Sequence, residues 1–443
     1  MGEGRTPYEE AVGLLSAALR FGINPSLDGI RALASALASP QAAFRACQVT
    51  GTNGKTSVVR MTGALLAEHG VRTGVYTSPH LVSYTERIEV GGEAVSEAAF
   101  AEAVTAAARA AEAIARSHRE AGSDGPPPAF TEFEILTAAA LWLFGAEDVD
   151  WACLEVGMGG RWDATSVVDP SVSVVTGVGL DHTDRLGSTR EEIAADKAYV
   201  IKPGTVAVLG PGCAGVEQVL FDRAFALGVP VLHVGEAEDD VTWRVLVPAT
   251  SPGGVTHFEV DGALERYDGL EMTAPAYQVP NAATAVAAAE AALGAPLDPA
   301  AVRRAFAALA FPGRFERMRA HPPLVLDGAH NPEAARVLAG AITSAFGDVR
   351  PVIVLGVLAD KDAAGIVAAL APVARRFVVT QPDSPRALPA GDLAAIVRAE
   401  TGEDAGQAAG LASALALVAD VPAVVTGSLY TAGEARALLA SRL

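Results

Sequence analysis

Basic residues are scarce in this chain. Against 52 Asp and Glu stand 33 Lys and Arg, a formal net charge of −19 over 443 residues. So acidic a surface argues against nucleic acid or an anionic membrane as partner, because both are held by basic patches. Small anions are not excluded, since a few local cations are enough to hold them. Cysteine is nearly absent: Cys47, Cys153 and Cys213 occur without CxxC spacing. That fits a reducing compartment better than a disulfide framework, and the three read as small buried apolar residues. Long hydrophobic runs are missing as well. The most apolar stretch of the tail, 411–425, is broken by Asp420 and Pro422 and is too short to span a bilayer. The opening MGEGRTPYEEAVG has neither a basic n-region nor an apolar core, so no signal peptide is expected. A soluble, cytoplasmic protein is the expectation. No exposed heptad pattern or dimer helix is evident, which makes a monomer the default.

What is present points to an α/β protein. Half the residues are hydrophobic but only 6% are aromatic. Ala, Val and Leu dominate, as suits helices packed on sheets. The length allows two or three domains. Strand patterns at 46–50, 74–77, 151–156, 172–178, 205–209 and 230–234 alternate with helical ones at 57–69, 96–118, 133–144 and 216–227. This alternation predicts a mostly parallel sheet with helices on both faces. The stretch 117–129, with GSDGPPP, reads as a flexible loop. It leads into Thr131-Glu132-Phe133-Glu134, whose capping-box spacing should start the next helix. Short alternating runs at 241–272 predict hairpins attached to the first domain. A helix over 281–293 is followed by Pro296 and Pro299, which mark an interdomain linker. Strands at 324–326, 352–355, 377–380 and 423–426 then predict a second, smaller α/β domain. The expected division is 1–295 and 296–443.

One stretch carries chemistry directly. VTGTNGKTSVVRMTG, from Val49 to Gly63, reads as strand end, glycine-bounded loop, lysine, two hydroxyls and helix. Glycines let successive N–H groups point at phosphate oxygens, and the helix N-terminus adds partial positive charge. Lys55 can reach terminal phosphates, and a following hydroxyl can ligate Mg²⁺. The general pattern GxxxxGK[ST] needs glycine at position 49, where this chain has Val49. The loop is therefore a variant with GTNGK as its core.

Ligands of open parallel sheets bind beyond the carboxyl ends of the strands. After Val75-Tyr76 come Thr77, Ser78, Pro79 and His80. After Ala152–Leu154 come Glu155 and Gly157-Met158-Gly159-Gly160-Arg161. After Val174–Gly179 come Asp181 and His182. Each strand delivers an oxygen or nitrogen donor to the rim where Lys55 sits. That pattern predicts one or two Mg²⁺ ions, held by Ser57 or Thr56, Ser78, Glu155 and His182, with phosphate oxygens and water completing the shell.

Here the chain resembles a family. GTNGKTS, YTSPHL with ERI (Glu86–Ile88), FEILTAAA, LEVGMGGRWDAT, GLDHTDRLGST, DKAYVIKPG, PGRFE, LDGAHNP, GVLADKD, DSPRAL and TGSLY together resemble folylpolyglutamate synthase and dihydrofolate synthase, within the Mur-type amide ligases. The resemblance runs over nearly the whole length. HTDRLG and LDGAHNP are specific to that family; GTNGK is shared by all Mur-type ligases.

The resemblance implies a Mur-ligase-like P-loop domain and a Rossmann-like C-terminal glutamate ligase domain. It implies an enzyme that joins L-glutamate to a folate or dihydropteroate carboxylate with ATP, through an acyl phosphate. Such chemistry needs clamping of a transferring phosphoryl group and closure against water. Lys55, Glu155, His182 and Lys197 are implied to be catalytic. Thr52, Asn53, Gly54, Lys55, Thr56, Ser57, Asn281, Arg314, Asp327 and His330 resemble the family's nucleotide contacts. Ser57, Ser78, Glu155 and His182 resemble its metal ligands. Lys197 matches a lysine that is carbamylated there. Gly157, Gly159, Gly160, Arg161 and Asp163 lie in a loop resembling the pterin-binding loop, and Ser384 and Arg386 in a segment facing the cleft. The cofactors implied are ATP, one or two Mg²⁺, carbamylated Lys197 and a monovalent cation.

The chain departs from the family's pattern at four places. Thr56 stands where glycine is usual, so the Mg²⁺ hydroxyl is Thr56 or Ser57. Ser166 replaces an Asn, a change expected to weaken a loop hydrogen bond. Tyr199 replaces a small residue and is expected to put bulk beside Lys197. Tyr277 replaces a His ahead of Gln278. Two other readings compete: a Mur-type ligase acting on a different carboxylic acid, and a non-catalytic nucleotide-binding homologue. The second needs only Lys55, so Glu155, His182 and Lys197 together count against it. A UDP-sugar ligase would be expected to carry a nucleotide-sugar domain ahead of the loop that begins at Gly51. Whether the chain makes dihydrofolate, polyglutamates or both is left open by its residues.

Overall fold

The computed structural model of the protein describes residues 5–22, 24–122, 125–237 and 240–441. The first part forms an eight-stranded sheet from β1 (Arg45–Thr50), β2 (Thr73–Tyr76), β3 (Ile88–Val90), β4 (Glu93–Ala94), β5 (Trp151–Glu155), β6 (Val172–Gly177), β7 (Val206–Gly212) and β8 (Val231–His233). Their order is β4-β3-β2-β5-β1-β6-β7-β8. β3 pairs antiparallel with both β2 and β4; the other pairings are parallel. β5 and β6 are buried at every position, as strands covered on both faces must be. The carboxyl ends of β1, β2, β5 and β6 therefore share one rim.

Gln48 is a polar residue inside the central strand, fully buried. Its Nε2 donates to Thr165 Oγ1 at 3.0 Å and Ser166 Oγ at 2.9 Å. A buried amide needs such partners, and here they tie the loop after β5 to the sheet.

The capping box expected at Thr131 is formed and opens the helix Glu132–Ala146. The preceding helix runs over Glu97–Glu120, into the stretch expected as a flexible loop. Of that loop, Ser123 and Asp124 lie outside the described residues. The hairpins expected at 241–272 are a three-stranded antiparallel sheet of β9 (Thr242–Val247), β10 (Thr256–Asp261) and β11 (Arg266–Met272). Phe258, Val260, Tyr267 and Leu270 of this sheet pack into one core with Met61, Leu65 and Leu66 of the P-loop helix. The helix Val279–Leu293 lies between them. It is Ala-rich and buried nearly all round, which allows close approach on every side.

A helix that the sequence reading did not expect follows, Pro299–Ala308, capped by Asp298. The linker expected around Pro299 is not formed there. Pro299 sits instead at the first helical turn, where its missing N–H costs nothing. Val302, Ala305 and Phe306 of this helix pack into the core of the first sheet.

A second sheet contains β12 (Glu316–Arg319), β13 (Leu324–Leu326), β14 (Val352–Leu355), β15 (Arg376–Val379), β16 (Gly406–Gln407) and β17 (Ala423–Thr426), in the order β12-β13-β17-β14-β15-β16. Only β12 is antiparallel to its neighbour. Ile353, Leu355 and Val424 face a core on one side, Val354 and Val425 another on the opposite side. No described helix is long and apolar enough to cross a membrane.

Phe306 stacks edge-on against Phe258 with centroids 5.4 Å apart and is fully buried. Phe306→Ala is expected to lose about 3–5 kcal/mol and to lower the urea midpoint of unfolding. A loss under about 1 kcal/mol would mean that the small sheet is held by something other than this contact.

Candidate active site

The P-loop is built by close approach. Gly51 and Gly54 both have positive φ, 152° and 86°. A Cβ on Gly51 would lie 1.9 Å from Thr176 Oγ1, and one on Gly54 would lie 2.6 Å from Asn281 Oδ1. Glycine is required at both. Thr176 Oγ1 donates to Asn53 O at 2.6 Å, and Thr52 Oγ1 exchanges hydrogen bonds with the backbone of Gly179. The loop is thus pinned to the end of β6. Lys55 opens the helix Lys55–Glu68 and folds back so that Nζ donates to Gly51 O at 3.1 Å and Thr52 O at 3.2 Å. Burial lowers its pKa, against the pull of Glu155 and Asp181.

Glu155 ends β5 and is 2% exposed. Its carboxylate accepts from Thr56 Oγ1 at 2.9 and 3.1 Å and from the Ser78 N–H at 3.1 Å. Burial raises its pKa; Lys55 and these donors pull it back. The Thr56 hydroxyl is therefore turned to the carboxylate, whereas Ser57 lines the cavity at the first turn of the helix. His182 follows the end of β6 with φ 52°, a left-handed conformation. Its pKa is lowered by burial, against Asp181. Ser57, Ser78 and Glu155 offer a small set of hard oxygen donors beside the loop. That set fits Mg²⁺, which takes its remaining ligands from phosphate and water.

Lys197 closes the helix Arg190–Lys197 and is 4% exposed. Its Nζ donates to Gly51 O at 3.0 Å, the same oxygen that Lys55 approaches. Burial first, and Lys55 second, pull its pKa down to about 7. Tyr199 does not crowd this pocket. Its ring is half-exposed on the outer surface, beneath the guanidinium groups of Arg161 and Arg223 at 4.7 and 5.0 Å. Nor is the loop bond at Ser166 lost: Ser166 Oγ donates to Gly160 O at 2.7 Å.

The second sheet supplies the opposite wall, and Asn281 of the helix Val279–Leu293 closes the near side. Asn281 Nδ2 donates to Gln278 Oε1 at 2.8 Å, beside Gly54. Asp327 is buried and accepts from the N–H groups of Phe315 and Ala329 at 2.9 and 2.8 Å. Tyr277, in place of the usual His, donates its hydroxyl to the same carboxylate at 3.3 Å. Arg314 faces Asp327, Glu155 and Lys55. His330 Nε2 is 3.7 Å from Asp181.

These residues surround a cavity of about 430 Å³. Thr52, Asn53, Gly54, Lys55, Thr56, Ser57, Ser78, Glu155, Gly157, Gly159, His182, Lys197, Asn281, Arg314, Asp327 and His330 all line it. Five expected site residues do not. Gly160 lies behind the wall, its N–H given to Asp196 at 2.9 Å. Arg161 is held between Trp162 and Tyr199. Asp163 is buried, its carboxylate accepting from the N–H groups of Met158 and Thr165, so it shapes the loop from within. Ser384 caps its own turn, and Arg386 pairs with Asp360 at 2.8 Å on the surface.

Sequence reasoning gave no role to Lys361. It reaches across from the second sheet to Asp181, with Nζ 2.5 Å from Oδ1. Their side chains are 9% and 12% exposed. Asp181 is held below its ordinary pKa: burial alone would raise it, but His330, His182 and Lys361 outweigh that. Lys361 lay inside a recognised stretch, GVLADKD, but nothing local names its partner 180 positions away. Asn53 makes similar bridges, to Glu333 and Asn331, both at 3.2 Å.

The chain matches the model of the Mur ligase middle domain over residues 49–289 and that of the Mur ligase glutamate ligase domain over 313–429. It is 39% identical to the dihydrofolate synthase/folylpolyglutamate synthase of Mycobacterium tuberculosis, over 94% of this chain and 90% of that one. The solved structure of Mycobacterium tuberculosis folylpolyglutamate synthase complexed with ADP superposes with a TM-score of 0.89 at 38% identity, covering 98% of each chain. A bifunctional folylpolyglutamate synthase/dihydrofolate synthase with Mn, AMPPNP and L-glutamate bound superposes with a TM-score of 0.81 at 30% identity, covering 97% of this chain and 98% of that one.

Removing one partner of a buried ion pair strands the other charge. Lys361→Met is expected to destabilise the protein by about 3 kcal/mol, read as a lowered unfolding midpoint. An unchanged midpoint would mean that Asp181 is held by its histidines and that Lys361 does not join the two halves.

Proposed function

The chain belongs to the folylpolyglutamate synthase/dihydrofolate synthase family of Mur-type ligases, and we propose that it uses ATP to join L-glutamate to the carboxylate of a folate or dihydropteroate. The observation that carries this is the convergence of Lys55, Glu155, Ser57, Ser78 and Lys197 on one cavity, facing Arg314, Asp327 and His330 across it. A simple nucleotide switch needs Lys55 but has no need of Glu155, His182 and Lys197 beside it. The reading is of a cytoplasmic monomer. Among the described residues all three cysteines are free and buried, and both walls of the site come from one chain.

In the proposed reaction the acceptor carboxylate attacks the γ-phosphorus of ATP and ADP leaves, giving an acyl phosphate. The amine of glutamate then attacks the acyl carbon, phosphate leaves, and the amine's proton passes to solvent or to a nearby base. Lys55 and the N–H groups of the P-loop stabilise the charge that builds on the phosphoryl oxygens. Thr56 and the Ser78 N–H orient the Glu155 carboxylate toward the cavity. A divalent ion held by Ser57, Ser78 and Glu155, with His182 near it, supplies charge neutralisation when bound. Asn281, Asp327 and His330 meet the nucleoside end. Contact of the two walls through Asn53 and Asp181 keeps water from the acyl phosphate.

Lys197 is assigned a carbamate. Its lowered pKa leaves much of the amine neutral near pH 7, and a neutral amine adds to CO₂ with loss of a proton. The anion so formed turns the repulsion from Lys55 into attraction.

Incorporation of radiolabelled glutamate, with ATP and either dihydropteroate or reduced folates, tests the function and separates the two activities. No incorporation with either acceptor would favour a Mur-type ligase of a different acid. Lys55→Ala is expected to lower turnover by about 10²–10³ while leaving the fold intact; near-normal turnover would remove Lys55 from phosphate binding. Lys197→Ala is expected to lose activity and to regain part of it in acetate or formate, which restore a carboxylate at that place. Full activity without rescue would show that no carbamate is needed.

A further inference from the structure

Asp196 and Lys197 are neighbours at the end of the helix Arg190–Lys197, and each holds a different loop. Lys197 Nζ donates to Gly51 O of the phosphate loop at 3.0 Å. Asp196 Oδ1 accepts from the N–H groups of Gly160 at 2.9 Å and Arg161 at 3.4 Å, in the loop that follows β5. The carbonyls of that turn are tied elsewhere. Gly159 O accepts from Thr50 Oγ1, at the end of β1, and Gly160 O accepts from Ser166 Oγ at 2.7 Å. The Gly159–Gly160 peptide is therefore gripped at both of its polar ends, by β1 on one side and by Asp196 on the other. The approach is close: Gly159 has φ 67°, and a Cβ on it would lie 2.2 Å from Asp196 Oδ1. Gly157, Met158 and Gly159, just before the gripped peptide, line the main cavity.

We infer that Asp196 is a positioning residue for the acceptor acid: it fixes the Gly157–Gly159 rim of the cavity relative to the phosphate loop that Lys197 holds. The inference rests on the ligase reading above and adds to it a residue that acts through the backbone of a loop. A carboxylate that accepts from two N–H groups sets their direction as well as their distance. A turn with glycine at 159 and 160 has many conformations open to it, and such a grip selects one. Attack on the γ-phosphorus needs the acceptor carboxylate placed within about 3–3.5 Å, and a misplacement of about 1 Å costs on the order of 10² in rate. The nucleotide has its own holders in the phosphate loop and the second wall. Loss of the Asp196 grip is therefore felt by the acceptor and not by ATP.

Steady-state kinetics of Asp196→Ala and Asp196→Asn, each checked for folding by thermal unfolding, test this. Asn keeps an oxygen that can accept from both N–H groups but removes the charge that acts on Lys197. Asp196→Ala is expected to lower kcat/KM for the acceptor roughly 30- to 100-fold, with KM for ATP changed by less than about twofold. Asp196→Asn is expected to stay within about fivefold of the wild type, since the hydrogen bonds remain. If folded Asp196→Ala keeps the wild-type kcat/KM for the acceptor, the inference falls and the ligase reading stands. If Asp196→Asn is as impaired as Asp196→Ala, the charge on Lys197 is what matters, and the inference falls. An equal rise in KM for ATP and for the acceptor overturns it as well, as a general loosening of the site. If Asp196→Ala does not fold, Asp196→Ser, whose side chain stops short of the Gly160 N–H, is judged by the same criteria. Should the wild type ligate nothing, the ligase reading falls instead. The grip on the loop is then judged by amide hydrogen exchange over residues 157–163: faster exchange in Asp196→Ala but not in Asp196→Asn upholds it, and equal exchange in all three proteins overturns it.

Discussion

Lys55 and Lys197 both donate to the carbonyl oxygen of Gly51, at 3.1 and 3.0 Å. Burial lowers the pKa of both ammonium groups, and Lys55 lowers that of Lys197 further. Much of the rest of the site answers to that crowding. Glu155 and Asp181 contribute negative charge from β5 and from the turn after β6. The P-loop and its helix add N–H groups rather than more charge. A cavity balanced in this way favours a polyanion. The carbamate proposed for Lys197 would rest on the same electrostatic arrangement as nucleotide binding.

The sheet makes that arrangement affordable in space. β1, β5 and β6 lie side by side, so Gly51, Glu155 and the turn that carries His182 emerge on adjacent strands. Small residues do the spacing: Gly51 leaves room for Thr176, and Gly54 for Asn281. Thr56 and Ser57 both line the cavity, and the Thr56 hydroxyl is given to Glu155. The position that departs from the family's glycine has acquired a hydrogen-bonding task without displacing its neighbour.

The two walls meet through polar bridges as well as through Leu81 and Tyr277, which pack against the cores of the second sheet. Asn53 meets Asn331 and Glu333, Lys361 meets Asp181, and His330 comes near the same carboxylate. Such contacts are directional and can exchange with water, which suits walls that must part to release product. They also explain why Asp181 carries so many partners: it is the anion on which the second wall is centred.

The sequence alone determined the alternation of strands and helices, the two sheets and the phosphate loop, because hydrophobic period, glycine placement and a lysine before a helix are local signals. The capping box at Thr131 was legible for the same reason. Local signals also misled. Pro299 suggests a linker but starts a helix, since proline serves both. Residues quoted from the resemblance lie together in the cavity where they follow strand ends, as Glu155 and Ser78 do. Arg161, Asp163 and Arg386 do not line it, because the direction of a side chain is set by what packs around it: two aromatic rings, a turn of its own loop, and Asp360. Only the tertiary structure decided that Lys361 meets Asp181 and that Lys55 and Lys197 share one oxygen. Each of those joins residues more than a hundred positions apart, and no property of either segment encodes the distance between them.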